Sequence, residues 1–553
     1  MTKRITIILI SGLIIFHFVN NYIWLSSTSY VTGRVDVIHH LNRELSLYKQ
    51  MKSICFEDKT TPLFQKAGNL TNIELEGNSW PPFVVYLSAI ANIIFGFSWM
   101  KVRMFQFLYF IVLIIAVYLI GKRLRGKQAG VLAAFMVSMY PGICGLSRMY
   151  ELDFPLTAFV SLTIYFLLAS DNFKNKRMSV FFGVCLGISM LIKLQALFFI
   201  FGPLSYVCYR AFFKENQNIK LFLISMALAL SISALWWANK IKALLVNFRE
   251  TLTVFYLPHP SSQPSSLNNL WDAVYAAFNG VPYRPFTFEY FFFYVSHSIT
   301  QVSVLFSLVF CAVLFFFSKS KNLKDKGLLL AWIAVPYVIF TVISVKWARY
   351  YFPSLPAVAL ISALGIGELR SKTVKTIVVT MIICLGLAQN LVLSYRITKY
   401  PVVAAAPGDE DWCAYPQTDN FMETGESLAL EIRKRAPISQ TRNIEIFGQW
   451  ENQLRYVLTM KLSGVNVYSA NNMREFIDLN DLRFIITVAS NPAPSGGNLK
   501  YVLSGVSIDR MRAKSLENLD GEENRHLNSF MPVKELTLIP FGQKVVLWER
   551  RLN

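Results

Sequence analysis

The stretch "FQFLYFIVLIIAVYLIGKRLRGKQAGVLAAFMVSMYPGICGLSRMYELDFP" runs from Phe105 to Pro155. Two apolar runs flank the basic segment "GKRLRGK" (121–127), and the second run ends in "RMYELDFP" (148–155), where Glu151 and Asp153 stand. Each apolar run is long enough to cross a bilayer core of about 30 Å. Basic segments between spans stay on the cytoplasmic side. If 121–127 is cytoplasmic, the link carrying Glu151 and Asp153 lies on the opposite face.

The rest of the chain has the same character. Of 553 residues, 54% are hydrophobic and 16% charged, with a mean hydropathy of +0.40. Soluble domains carry about 25% charged residues. The apolar runs are continuous rather than alternating, which excludes a β-barrel. The net charge of +20 does not indicate a nucleic-acid binder, because the basic residues cluster in short loops between apolar runs. The first run follows Lys3 and Arg4 without a small-residue cleavage site and reads as a retained first span.

Four more basic loops, "NFKNKR" (172–177), Arg210 to Lys220, "KSKNLKDK" (319–326) and "LRSKTVK" (369–375), are expected in the cytoplasm. Spans at about 5–25, 103–121, 129–147, 153–170, 178–194, 196–212, 219–237, 291–317, 327–345, 350–368 and 374–393 satisfy all of them. The chain is thus expected to be a polytopic α-helical membrane protein of about 11–12 transmembrane helices, with a cytoplasmic N-terminus. The run at 83–97 breaks this pattern if it crosses, so it reads as an outer-face interfacial or re-entrant helix opened by Pro81 and Pro82. A twelfth span is the alternative.

Residues 1–396 form the expected transmembrane domain, with 26–102 as its first extracytoplasmic loop. From 397 to 553 the composition changes. Strand-like runs at 443–448, 465–469, 483–489 and 544–550 alternate with helical patterns at 451–462 and 471–478, as in a small extracytoplasmic α/β domain. It contains no glycine-rich phosphate loop and no catalytic elbow. The seven cysteines show no metal-type spacing. Cys144, Cys185, Cys208, Cys311 and Cys384 lie in apolar runs and read as core filler. Cys55 and Cys413 share one predicted side, where a disulfide between them is open.

The charged residues on the outer face are the functional candidates. Glu151 and Asp153 either cap the next helix or serve a site. Lys193, in "SMLIKLQAL", either snorkels or meets a lipid phosphate. Arg349 stands beside Lys346 in "VKWARYYFPSLP" and has the planar fork that grips phosphate oxygens. Just after the first span, "YVTGRVDVIHHLNRELSLYKQ" (30–50) places Ile38, Leu41, Leu45 and Tyr48 on one helical stripe, and Asp36, His39, His40 and Arg43 on the other face. An amphipathic helix headed by a carboxylate is expected there, at the membrane interface.

The run from "WPPFVVYLSAIANIIFGFS" to "RMYELDFPLTAF" resembles the GT-C membrane glycosyltransferases, in the branch of protein O-mannosyltransferases and aminoarabinose transferases. The shared features are the PP pair, the arginine opening the next span, the basic "GKRLRG", "AG.LAA", a proline, and "R…D.P". "GISMLIKLQAL" is similar to that family's lysine-bearing helix, and "KWARYYFPSLPAVALI" to its "RY..P..P" helix. The resemblance covers about residues 1–370 and implies that Asp36 is the catalytic base and Asp153 the acid of the second outer link. The family's usual Asp-Glu pair is here Asp36-Val37, so the second acid is missing.

A polyprenyl-phosphate sugar donor then follows, with Lys193, Arg349 and Lys346 at its phosphate. Asp36, Asp153 and Glu151 form the catalytic set, and His39, His40, Arg43 and Tyr350 are accessory candidates. The acceptor is a glycolipid, glycan or protein, as in lipopolysaccharide or protein glycosylation. Membrane lipids are the other partners, and no nucleic acid is expected. No cofactor follows from the sequence, and a divalent cation stays an open alternative. His39 or His40 competes with Asp36 as base, because imidazole is poised near neutral pH. A lipid-linked glycan polymerase or ligase, or a lipid transporter, is the alternative function. The expected location is the plasma (inner) membrane, multi-pass, with the C-terminal domain extracytoplasmic. Reporter fusions after Lys127 and Lys326 should be cytoplasmic, and a fusion after Pro401 external. An external reporter at Lys127 would make 83–97 a true span and move Asp153 to the other face.

Overall fold

The computed structural model describes residues 1–27, 35–57, 65, 81–215, 219–234, 236–238, 288–320, 323, 325–342, 347–395, 421–435, 443–448, 451–462, 466–469, 482–488, 530–538 and 543–550. The chain divides into two compact units. One joins Met1–Leu25 with Gly77–Tyr415, and the other joins Ser26–Glu76 with Pro416–Asn553. Lys346, Cys413 and the expected helix at 471–478 lie outside the described residues.

The first unit is helical. It opens with α1 (Lys3–Ser27), whereas α2 (Val35–Lys52) belongs to the second unit. Then come α3 (Phe83–Phe95), α4 (Trp99–Met104), α5 (Gln106–Arg125), α6 (Lys127–Met139), α7 (Pro141–Leu146), α8 (Asp153–Ala169), α9 (Lys176–Ile192) and α10 (Ala196–Cys208). The unit continues with α11 (Lys220–Ala234), α12 (Phe288–Val302), α13 (Val304–Lys319), α14 (Lys326–Val342), α15 (Leu355–Gly367) and α16 (Lys372–Tyr395). A 3-10 helix, Ala348–Ser354, precedes α15. Ile8, Ile94, Phe201, Leu308 and Val338 are exposed while Phe110, Leu113, Phe154 and Leu360 are buried. Apolar residues thus lie on both the inner and outer surfaces, as lipid contact requires.

Among the described residues five helical stretches are long and apolar enough to cross a membrane, and a bent pair makes six at most. Further apolar helices of 10–17 residues fall at the expected spans near 129–147, 153–170, 219–237 and 327–345. The expected span 291–317 is two helices meeting at 114°, joined by Ser303 at φ 82°. That left-handed backbone ends α12 and starts α13 in a new direction. The helix α3 has 13 residues. It is about 20 Å long at 1.5 Å per residue, short of a bilayer core. Cys144 and Cys185 are buried as core filler, but Cys311 and Cys384 are exposed, because in an apolar helix an outward side chain meets lipid at little cost.

The segment 121–127 is mostly helix rather than turn. The helix α5 continues to Arg125, Gly126 alone breaks it at φ 104°, and α6 begins at Lys127. The antiparallel pair then packs through two glycines. A Cβ on Gly121 would stand 2.7 Å from the Gly130 Cα, and one on Gly130 only 2.4 Å from the Tyr118 carbonyl oxygen.

The second unit contains α2, α17 (Phe421–Arg435), α18 (Glu451–Lys461) and a five-stranded sheet ordered β2-β1-β3-β5-β4. Strands β1 (Asn443–Gly448), β2 (Asn466–Ser469) and β3 (Leu482–Val488) are parallel. The strand β5 (Gln543–Arg550) runs antiparallel to β3 and to β4 (Phe530–Leu538). The four strand-like runs of the tail are strands to within one residue at each end. The strand β4 carries Pro532, which weakens a strand pattern; an edge position tolerates it, with the register shifting between Pro532 and Lys534. Leu428 and Ile432 of α17 and Leu454, Val457 and Leu458 of α18 are buried.

The helix expected after the first span is present as α2, with Ile38, Leu41 and Leu45 buried, and much of its other face is buried as well. Arg43 and Glu44 are fully buried, and His40 nearly so. Lys49 donates to the Thr459 carbonyl of α18 in the same unit. Of the polar face, His40 and Arg43 are thus buried, while His39 is half-buried.

Gly130→Ala should lower the thermal midpoint of the purified protein, by about 1–3 kcal/mol of overpacking. Gly12→Ala, where a Cβ meets nothing within 4 Å, should leave it unchanged.

Candidate active site

Three interruptions of regular α-helix meet in the first unit. Residues 147–152 link α7 to α8, residues 193–195 separate α9 from α10, and the 3-10 helix Ala348–Ser354 precedes α15. Each brings a charged side chain inward. Asp153 is the first residue of α8, and its carboxylate accepts from the Lys193 ammonium at 2.7 Å. Glu151 accepts from Arg349 Nη1 at 2.6 Å, and Arg349 Nε lies 3.5 Å from the second Asp153 oxygen. All four residues are at least nine-tenths buried.

Asp153 is the acid of the first turn of α8, and its carboxylate is bound by Lys193 rather than left to the helix terminus alone. Lys193 is 5% exposed and holds a carboxylate rather than snorkelling outward. Aromatic faces complete the surroundings, with Tyr350 5.5 Å from the Lys193 ammonium and Trp347 4.9 Å from the Arg349 guanidinium. Gln301 of α12 donates to the Ala348 carbonyl at 2.9 Å, fixing the backbone one residue before Arg349.

Chemically, two buried cations are each held in one orientation by a carboxylate. Such preorganised cations stabilise negative charge that develops on a bound group without reorganising first.

Residues 79–237 match the family described as dolichyl-phosphate-mannose-protein mannosyltransferase. The crystal structure of ArnT from Cupriavidus metallidurans bound to undecaprenyl phosphate superposes with a TM-score of 0.54 at 13% identity, covering 99% of this chain and 98% of that one. The chain therefore shares the fold of ArnT. The apo form of the same ArnT gives 0.53 at 12% identity, over 97% of each chain. An uncharacterized protein of Aquifex aeolicus is 22% identical over 417 residues, 73% of this chain and 72% of that protein.

In the first unit, Glu151, Asp153, Lys193 and Arg349 form one cluster, with Tyr350 at its edge. Asp36, His39, His40 and Arg43 belong to the second unit. Asp36 is the second residue of α2, and the His39 and His40 rings lie 5.9 Å apart. Among the described residues no group of three or more His, Cys, Asp or Glu side chains could hold a metal ion. Trp347 and Gln301 were not legible as site residues. Trp347 is visible only as a neighbour of Arg349, and nothing in the sequence ties Gln301 to residue 348.

Asp153→Asn leaves the Lys193 ammonium buried without this carboxylate. It should destabilise the protein by about 3–5 kcal/mol, the cost of breaking a buried pair from one side. Asp153→Asn combined with Lys193→Met should recover most of the loss in thermal unfolding of the purified protein.

Proposed function

We propose that this glycosyltransferase moves a sugar from a polyprenyl-phosphate donor to a hydroxyl acceptor on the extracytoplasmic face. The supporting observation is the buried pair of carboxylate-oriented cations, Lys193 and Arg349. The ArnT of like fold is bound to undecaprenyl phosphate, which fits the same chemistry. A glycolipid, glycan or protein would supply the acceptor hydroxyl.

The step is one displacement. The acceptor oxygen bonds to the anomeric carbon as the bond from that carbon to the phosphate oxygen breaks, and the sugar passes over with inversion. The acceptor proton goes to Asp36 as general base. The leaving polyprenyl phosphate needs no proton from a strong acid. Its developing charge falls on Lys193 and Arg349, while Glu151 and Asp153 hold those cations in place. Asp36 lies in the first turn of α2.

Substitutions separate the roles. Arg349→Lys keeps the charge and loses the fork, so donor use should weaken by about 1–3 kcal/mol, and Arg349→Ala should be worse. Turnover of Arg349→Ala equal to wild type with labelled lipid-linked sugar would remove Arg349 from the site. Asp36→Asn should lower turnover by about 10²–10⁴, with folding and polyprenyl-phosphate binding retained. His39→Gln and His40→Gln should stay active; a dead His39→Gln beside a working Asp36→Asn would move the base to the histidine.

A further inference from the structure

The link that carries Glu151 and Asp153 has no regular helix of its own to hold it. Residues 147–152 run between α7 and α8, and every one of them is buried. Its fastenings come from elsewhere, and most converge on Arg148. The Arg148 guanidinium donates through Nε to the Asn21 side-chain oxygen at 2.9 Å and through Nη2 to the Ser394 hydroxyl at 2.7 Å. One acceptor lies near the end of α1 and the other near the end of α16. The guanidinium also lies 5.1 Å from the Trp24 ring of α1. The backbone carbonyl of Arg148 accepts from Arg103 Nε of α4 at 3.2 Å, and the Arg103 guanidinium meets the same indole at 5.5 Å.

The acceptors join a wider set of bonds between the same helices. Asn21 donates to Ser147 at 3.1 Å, and Asn20 donates to Asn390 at 2.7 Å and to Ser394 at 3.3 Å. Two residues after Arg148, the Tyr150 hydroxyl bonds to Ser88 of α3. The next residue is Glu151, which holds Arg349.

Asn21 and Ser394 offer Arg148 an amide oxygen and a hydroxyl, both neutral. For stability alone, a well-packed apolar side chain costs less to bury than a cation. What the guanidinium adds is geometry, because its planar fork holds two acceptors and one ring face in fixed relation.

We propose that Arg148 is a positioning residue. It fastens the 147–152 link to the ends of α1 and α16, so that Glu151 presents Arg349 in one orientation to the phosphate of the donor. This rests on the donor chemistry proposed above. It differs from a merely structural role because its effect must pass through Arg349.

The test uses the full chain in lipid nanodiscs, with undecaprenyl monophosphate as the probe. For Arg148→Gln, affinity for the probe should fall about tenfold, the size of a typical coupling between residues of one network. In an Arg349→Ala background the same substitution should change the affinity no further. A thermal midpoint that drops while the folded protein binds the probe as wild type would overturn the proposal. So would an equal additional loss in the Arg349→Ala background. If Arg148→Gln does not fold, Ser394→Ala and Asn21→Ala each remove one acceptor. The same dependence on Arg349 is expected of them, and additive losses would sink the idea. Failure of the donor chemistry itself has its own signature: Arg349→Ala alone would bind the probe as tightly as wild type.

Discussion

Asp153 and Lys193 meet at 2.7 Å inside a helical membrane protein, where either charge alone would be costly to bury. That pair cannot form within one helix. It requires the start of α8 to lie against the break between α9 and α10, and Glu151 with Arg349 adds the 3-10 helix before α15. Three irregular segments therefore meet at one place. Non-helical backbone is tolerated at membrane depth only where protein covers it or it lines a cavity. The charges and the helix breaks are thus two sides of one constraint: the breaks let the charged residues turn inward, and the ion pairs hold the breaks together.

The glycines and the bent helix pair serve the same packing. Gly121 and Gly130 let α5 and α6 approach backbone to backbone, and α5 in turn packs on α8. The turn at Ser303 ends α12 just beyond Gln301, whose amide holds the Ala348 carbonyl. The neighbouring aromatic side chains, Tyr294 against Tyr351 at 5.6 Å and Phe340 against Tyr350 at 6.0 Å, pack around the same 3-10 helix. Arg349 is therefore fixed by its backbone as well as by Glu151, as the proposed stabilisation of developing charge would require.

The second unit follows different physics. Its mixed sheet and its helices α17 and α18 bury Leu428, Ile432, Leu454 and Val457 as a soluble domain would. It also takes in α2, so the polar residues Arg43 and Glu44 are enclosed rather than wetted.

Much of this chain was legible without coordinates. Long apolar runs and basic loops set a polytopic helical protein, because membrane insertion depends on local composition and loop charge. Alternating runs in the tail marked four of its strands, since period-two patterning is also local. The residues of the charge cluster stood out one by one, as ionisable groups at helix ends. Their partners did not. That Lys193 takes Asp153 and Arg349 takes Glu151, that Gln301 holds Ala348, and that Arg148 reaches both Asn21 and Ser394 are contacts between residues 40 to 246 positions apart. Local patterning carries no information about which distant element arrives beside a given helix end. The bend at Ser303 and the enclosed face of α2 escaped the sequence for the same reason: hydrophobic periodicity reports that a face is polar or apolar, and tertiary packing alone decides what covers it.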